Sequence, residues 1–290
     1  MDRFTNRSIG AAAIIMNPID ALFQRLRTQK RKAFIPFVTA GDPDLNVTNR
    51  LVRALVHGDA SLVEIGFPYS DPIADGSVIQ ASYTRALNRG LRISDVFTCI
   101  HQLANSADLA GTVPLVGMVS YSLVHRGGPE QFLQQAQDSG LSGAIVPDLP
   151  VEEAEALAHM AAERDFKLIQ LVTPTTPRDR AVRIAQVSTG FLYCVSVTGI
   201  TGERDRLPEE LLEQLAWLRT QTDLPICVGF GISKPEHVQM LRGAVDGVIV
   251  GSALVRRLEQ AASRPVDEVV QDVASLAQSL AGALNPPARR

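Results

Sequence analysis

A single closed (β/α)8 TIM barrel, with an extra N-terminal helix and additional short helices, is the fold this sequence predicts. Three observations predict it. Short apolar runs of strand length recur eight times along the 290 residues, and helix-periodic segments lie between them. The runs are continuously apolar rather than alternating, as in a parallel sheet covered by helices. Eight such units in roughly 250 residues fit a closed barrel. A doubly wound sheet shares the alternation, and periodicity alone does not separate the two.

In chain order, a leading helix over 19–31 precedes the first strand, 33–39. A helix over 44–56 leads to the second strand, 62–66, and a helix over 77–87 follows. An additional helix over 94–105 comes before the third strand, 113–119. Then come a helix at 129–138, the fourth strand at 143–147 and a helix at 151–164. The fifth strand, 167–172, is followed by a helix at 178–186, and the sixth, 191–195, by a helix at 208–220. The seventh, 225–229, is followed by a helix at 235–242. The eighth, 247–250, runs into a short helix starting at Gly251. No composition shift splits the chain. Residues 1–16 read as a flexible extension with Met16 a possible alternative start, 17–284 as the barrel, and 285–290 as a disordered tail.

Composition removes several classes of function. Hydrophobic residues make up 46% and charged residues 20%, the balance of an ordinary soluble domain. A net charge of −3 gives no electrostatic reason to bind nucleic acid or an anionic membrane. No apolar stretch approaches the roughly 18 residues of a membrane span. Residues 9–16 are apolar but short, with no small-residue cleavage site after them, so no secretory signal is read. Cys99, Cys194 and Cys227 are far apart, which suits buried free thiols in a reducing compartment. The five histidines lack metal-ligand spacing, and neither a metal nor a cofactor is expected. The expected location is the cytoplasm.

In a barrel, chemistry gathers where strands end and loops begin. Glu64 sits inside the second apolar run, where an ionisable group is costly to bury without a partner or a task. Asp75 ends the loop after that strand, past Pro68 and Pro72, which stiffen it. A carboxylate on a strand and another on its loop can face each other across a pocket, an acid/base arrangement. Taken singly, Asp75 before Gly76 also reads as a turn. Asp148 before Pro150 also reads as a loop carboxylate, and Tyr193 as a core side chain. A second constellation is Gly229-Phe230-Gly231-Ile232-Ser233 after the seventh strand with Gly251-Ser252 after the eighth. Glycines let backbone amides approach a phosphate closely, and a helix starting at Gly251 would aim its N-terminus at the anion. The run 198–206, with glycines and charges between elements, reads as a candidate lid.

These residues resemble the α subunit of tryptophan synthase over residues from about 23 to 281. The likeness is carried by Phe34-Ile35-Pro36-Phe37-Val38-Thr39-Ala40-Gly41-Asp42-Pro43, by the segment from Glu64 to Gly76, and by Pro147-Asp148-Leu149-Pro150. Thr198-Gly199-Ile200-Thr201-Gly202, Gly229-Phe230-Gly231-Ile232-Ser233 and Gly251-Ser252-Ala253 complete it. The resemblance implies retro-aldol cleavage of indole-3-glycerol phosphate to indole and glyceraldehyde 3-phosphate. It implies that Glu64 is the main acid/base, that Asp75 takes the indole N–H, and that Tyr193 stands near the active carboxylate. It assigns Gly202, Gly231, Gly251 and Ser252 to phosphate, Phe37 and Ile73 to the indole pocket, and Thr201 to loop closure over substrate. It further implies a pyridoxal-phosphate β subunit as partner in an α2β2 complex. The chain departs from the family pattern at Tyr121-Ser122-Leu123, where Tyr-Asn-Pro is usual, and at Ser77, where Pro is usual. A stand-alone indole-producing lyase, a non-catalytic allosteric partner of a β subunit, and a phosphate-binding barrel lyase of another aldol-type substrate are the competing readings.

Overall fold

The computed structural model describes residues 16–72, 75–196, 209–229 and 231–286. The expected extension except Met16, Ile73 of the expected indole pocket, the candidate lid with Thr201 and Gly202, Phe230, and residues 287–290 lie outside the described residues. In chain order the elements are α1 (Pro18–Thr28), β1 (Ala33–Thr39), α2 (Leu45–His57), β2 (Val63–Gly66), α3 (Ser77–Asn88) and α4 (Ile93–Ala104). There follow β3 (Leu115–Met118), α5 (Tyr121–Gly127), α6 (Pro129–Asp138), β4 (Leu141–Ile145), α7 (Ala154–Glu163), β5 (Lys167–Ile169), β6 (Leu171–Val172) and α8 (Arg178–Val187). The last are β7 (Leu192–Val195), α9 (Glu209–Leu218), β8 (Ile226–Gly229), α10 (Pro235–Leu241), β9 (Gly247–Val250), α11 (Ser252–Leu258) and α12 (Val266–Leu284).

Every strand pairing is parallel, in the order β5-β4-β3-β2-β1-β9-β8-β7-β6. The two ends of that order, β5 and β6, are consecutive in the chain and parted only at Gln170. The sheet therefore returns on itself as a barrel rather than opening into a doubly wound sheet. The single fifth strand expected over 167–172 is interrupted here, so nine strand segments make eight staves. At the break, the Gln170 N–H donates to Ser188 Oγ at 3.1 Å, while its C=O accepts from the Tyr193 N–H at 3.1 Å.

Two apolar layers hold the barrel. Inside, Ile35, Val116, Ile145, Ile169, Phe191 and Ile249 pack against Ile19, Leu22, Phe23 and Leu26 of α1, which plugs the N-terminal end. Asn17 fixes that plug. Its Oδ1 accepts from the Ile19 N–H at 2.9 Å as an N-cap, and its Nδ2 donates to the carbonyls of Ser142 at 3.0 Å and Asp165 at 2.6 Å. Outside, the opposite strand faces pack against the helix ring in one larger core. In α12, Val266, Val269, Val270, Val273, Ala277, Leu280, Ala281 and Leu284 recur at helical spacing and join that core. Asn285, the first residue of the expected tail, exchanges two hydrogen bonds with the Lys32 backbone.

Two expectations need correction. The fourth strand is Leu141–Ile145, two residues earlier than 143–147, because the Val146 carbonyl is taken by the Leu149 N–H in a turn. The stretch Tyr121–Gly127, given no element from sequence, is helical. Asp148, 27 residues away, accepts the Tyr121 N–H at 2.7 Å and the Ser120 hydroxyl at 2.6 Å, satisfying the start of that helix from the loop after the neighbouring strand β4. Neither effect leaves a periodic trace.

Candidate active site

At the C-terminal ends of the strands lies a cavity of about 990 Å³. Of the sequence-predicted residues, Phe37, Glu64, Asp75, Tyr193, Gly231, Gly251 and Ser252 all line it, as does Asp148. Parallel register explains part of the convergence. Phe37 on β1 stands beside Glu64 on β2, and Glu64 beside Val116 on β3.

Glu64 is 1% exposed, and its Oε2 has no hydrogen-bond partner among the described residues. An acceptor left so is costly when ionised, and no cation among the described residues bears on it. Burial, reinforced by the nearby Asp75 carboxylate, raises its pKa from 4.5 to about 8. Asp75 is half-buried. Burial and the charge of Asp148 raise its pKa to about 6, against a hydrogen bond from Tyr69 that lowers it. At neutral pH the first carboxyl therefore holds its proton and the second has mostly lost it. Two carboxyls with separated pKa values at one cavity can divide acid and anion roles between them.

The aromatic wall depends on two glycines. A Cβ on Gly66, at the end of β2, would strike the ring of Phe37 and the hydroxyl of Tyr83. A Cβ on Gly229, at the end of β8, would overlap the hydroxyl of Tyr193. Burial and the charges of Glu64 and Asp75 push the Tyr193 phenol well above its usual value, so it stays protonated. Gly231 sits after β8 with φ +76°, a left-handed conformation that suits glycine. Gly251 precedes the first turn of α11, which opens with Ser252. The cavity thus brings carboxyls, aromatic rings and glycine turns to one mouth.

Several residues at the site escape sequence reasoning. Tyr69, in the segment after Glu64, donates its hydroxyl to Asp75 Oδ2 at 3.3 Å. Gln80 of α3 donates Nε2 to the carbonyls of Pro72 at 2.9 Å and Asp75 at 2.8 Å, clamping the loop backbone. Gln170 is 3% exposed, lines the cavity, and carries an Nε2 with no partner among the described residues. The signal that singled out Glu64, a polar side chain within an apolar run, was equally present at Gln170. Among the described residues no cluster of ligands could hold a metal ion, and no helix is long and apolar enough to cross a membrane.

Comparison with known proteins gives one answer. The family model described as tryptophan synthase alpha chain matches residues 23–285. A tryptophan synthase alpha chain of Rhodopirellula baltica is 49% identical over 277 residues, 93% of this chain and 99% of that protein. That of Rippkaea orientalis is 44% identical over 270 residues, 93% and 98% of the two chains. Among solved structures, tryptophan synthase subunit alpha of Legionella pneumophila matches with a TM-score of 0.83 and 33% identity, covering 93% of this chain and 99% of that one. An aminoacrylate-bound tryptophan synthase of M. tuberculosis matches with a TM-score of 0.81 and 26% identity, covering 93% and 100%.

Proposed function

The chain belongs to the tryptophan synthase alpha chain family, and on that premise we propose how its site performs the α-chain reaction. That reaction cleaves indole-3-glycerol phosphate to indole and glyceraldehyde 3-phosphate. Indole leaves poorly while its ring is aromatic, so C3 must first be protonated to an electron-accepting iminium. Glu64, which holds a proton at neutral pH, delivers it to C3. The resulting carboxylate takes the proton from the adjacent side-chain hydroxyl. The C–C bonding pair flows into the iminium, the ring becomes aromatic again, and the hydroxyl oxygen becomes the aldehyde carbonyl. Asp75, largely ionised, accepts the indole N–H and stabilises positive charge developing on that nitrogen.

The observation that carries this reading is the buried Glu64 carboxyl, with no partner for Oε2 among the described residues, lining the same cavity as Asp75. Phe37 and Ile73 take the indole ring, and Tyr193 serves the Glu64 carboxyl. Gly231, Gly251 and Ser252, with Gly202, take the phosphate, and Thr201 closes over the substrate. The indole product passes to a pyridoxal-phosphate β subunit within an αββα assembly. The compartment is the cytoplasm, a reading supported by three buried cysteines that carry free thiols.

The purified chain is expected to release indole from indole-3-glycerol phosphate. Glu64→Gln should lose on the order of 10²–10⁴ in turnover while still binding substrate. Asp75→Asn should be severe but less complete, since it weakens a charge interaction and leaves the proton shuttle. Indole release unchanged in Glu64→Gln would end the mechanism. Gel filtration with added β subunit should show a larger assembly and faster indole production.

A further inference from the structure

We propose that Tyr69 is a positioning residue that holds Asp75 oriented and anionic for the indole N–H. The proposal rests on the role given to Asp75 above. Asp75 sits in the loop between β2 and α3, and two side chains fix it from different sides. Gln80 grips the backbone through the carbonyls of Pro72 and Asp75, but that leaves the side chain free to turn. The Tyr69 hydroxyl supplies the missing constraint by donating to Oδ2. With Oδ2 occupied, Oδ1 is the oxygen available to an indole N–H. Tyr69 is itself held, its ring packed against that of Tyr83 with centroids 5.7 Å apart. It is absent from the described residues lining the cavity, so it acts on Asp75 from behind rather than on substrate.

The electrostatic setting gives the hydroxyl its importance. Asp75 is faced by Glu64 from β2, Tyr83 from α3, Asp148 from the segment after β4 and Tyr193 from β7. Asp71 bears on Tyr69 from their own loop. None of these is a cation. Among them only Tyr69 is described as hydrogen-bonding the Asp75 side chain and favouring its charged form. Burial and three neighbouring carboxylates raise the Tyr69 phenol above its usual value, so it remains a donor across the working range. Without it, Asp75 would keep its proton to higher pH and its carboxylate would swing.

Tyr69→Phe tests this, because it removes the hydroxyl and keeps the ring against Tyr83. Indole release is measured against pH for wild type, Tyr69→Phe, Asp75→Asn and the double variant. The Asp75 carboxyl is followed by NMR titration of carboxyl-labelled protein without substrate, assigned by its loss in Asp75→Asn. Tyr69→Phe should lower kcat about tenfold with little change in KM, and move the acidic limb of kcat/KM and the carboxyl titration to higher pH. In the Asp75→Asn background the same substitution should change kcat less than about twofold. An unmoved titration in Tyr69→Phe, or an equal loss in the Asp75→Asn background, would overturn the proposal. A wild-type chain that releases no indole would instead overturn the reading of the reaction, while the NMR titration would still report whether the tyrosine governs the carboxyl.

Discussion

At the scale of single residues, the site depends on burying a carboxyl that has no counter-charge beside it among the described residues. Glu64 carries a folded-state pKa near 8 against an ordinary 4.5, so the folded protein binds a proton that the unfolded chain releases. The sign follows directly. Below pH 4.5 both states are protonated and burial costs little. As pH climbs from 4.5 toward 8, folding stability drains away, by at most about 5 kcal/mol. Glu64→Gln removes the titration, so its melting temperature should exceed that of wild type by more at pH 9 than at pH 5, read by calorimetry. A Glu64→Gln advantage independent of pH would contradict the buried-acid account. The same two carboxyls set the rate profile. Activity should fall on the acid side near pH 6 as Asp75 gains a proton, and on the basic side near pH 8 as Glu64 loses the one it must donate.

At the scale of elements, the structure relies on side chains that serve two segments at once. Asn17 caps α1 and also bonds the backbone at Ser142, within β4, and at Asp165, ahead of β5. Asn17→Ala removes a cap and leaves two carbonyls without their amide donor. It should cost about 2–3 kcal/mol in urea unfolding, more than an exposed cap. A loss below about 0.5 kcal/mol would mean that α1 is held by its apolar face alone. Asp148 plays the matching part at the other end of the barrel, where it satisfies the start of α5. A carboxylate that sequence reading leaves as an ordinary loop residue is thus a structural cap that also borders the cavity.

At the scale of the whole molecule, the segment after β1 is tied to the helices that follow its two neighbouring strands by an ion pair whose carboxylate is buried. Asp42 is nearly inaccessible and receives both Nε and Nη2 of Arg85, at 2.9 and 2.8 Å. The Nη1 of Arg85 reaches Glu259 at 3.2 Å, just after α11. One guanidinium therefore links the loop after β1, the helix after Asp75 and the segment beyond α11. Arg85→Leu strands a buried carboxylate and should cost about 3 kcal/mol, a value near the lower end for such breaks because the arginine is partly exposed. Denaturant titration measures the loss. A neutral result would show that the three segments are positioned by packing rather than by charge.

Read as a sequence, the chain determined the alternation of strands and helices, the glycine turns after the last two strands, and the presence of an ionisable group in an apolar run. These are local patterns: hydrophobic periodicity, turn chemistry and the cost of burying charge act within a few residues. Glu64, Gly231 and Gly251 were legible for that reason. Only the tertiary structure decided that the barrel closes through a stave broken at Gln170, that Asp148 caps a helix 27 residues away, and that Tyr69 holds Asp75. It also decided the separation of the two carboxyl pKa values, since that separation comes from burial and from charged groups on the loops after different strands. Desolvation and through-space hydrogen bonds have no period in sequence, and they are what set the carboxyl on β2 apart from the one on its loop.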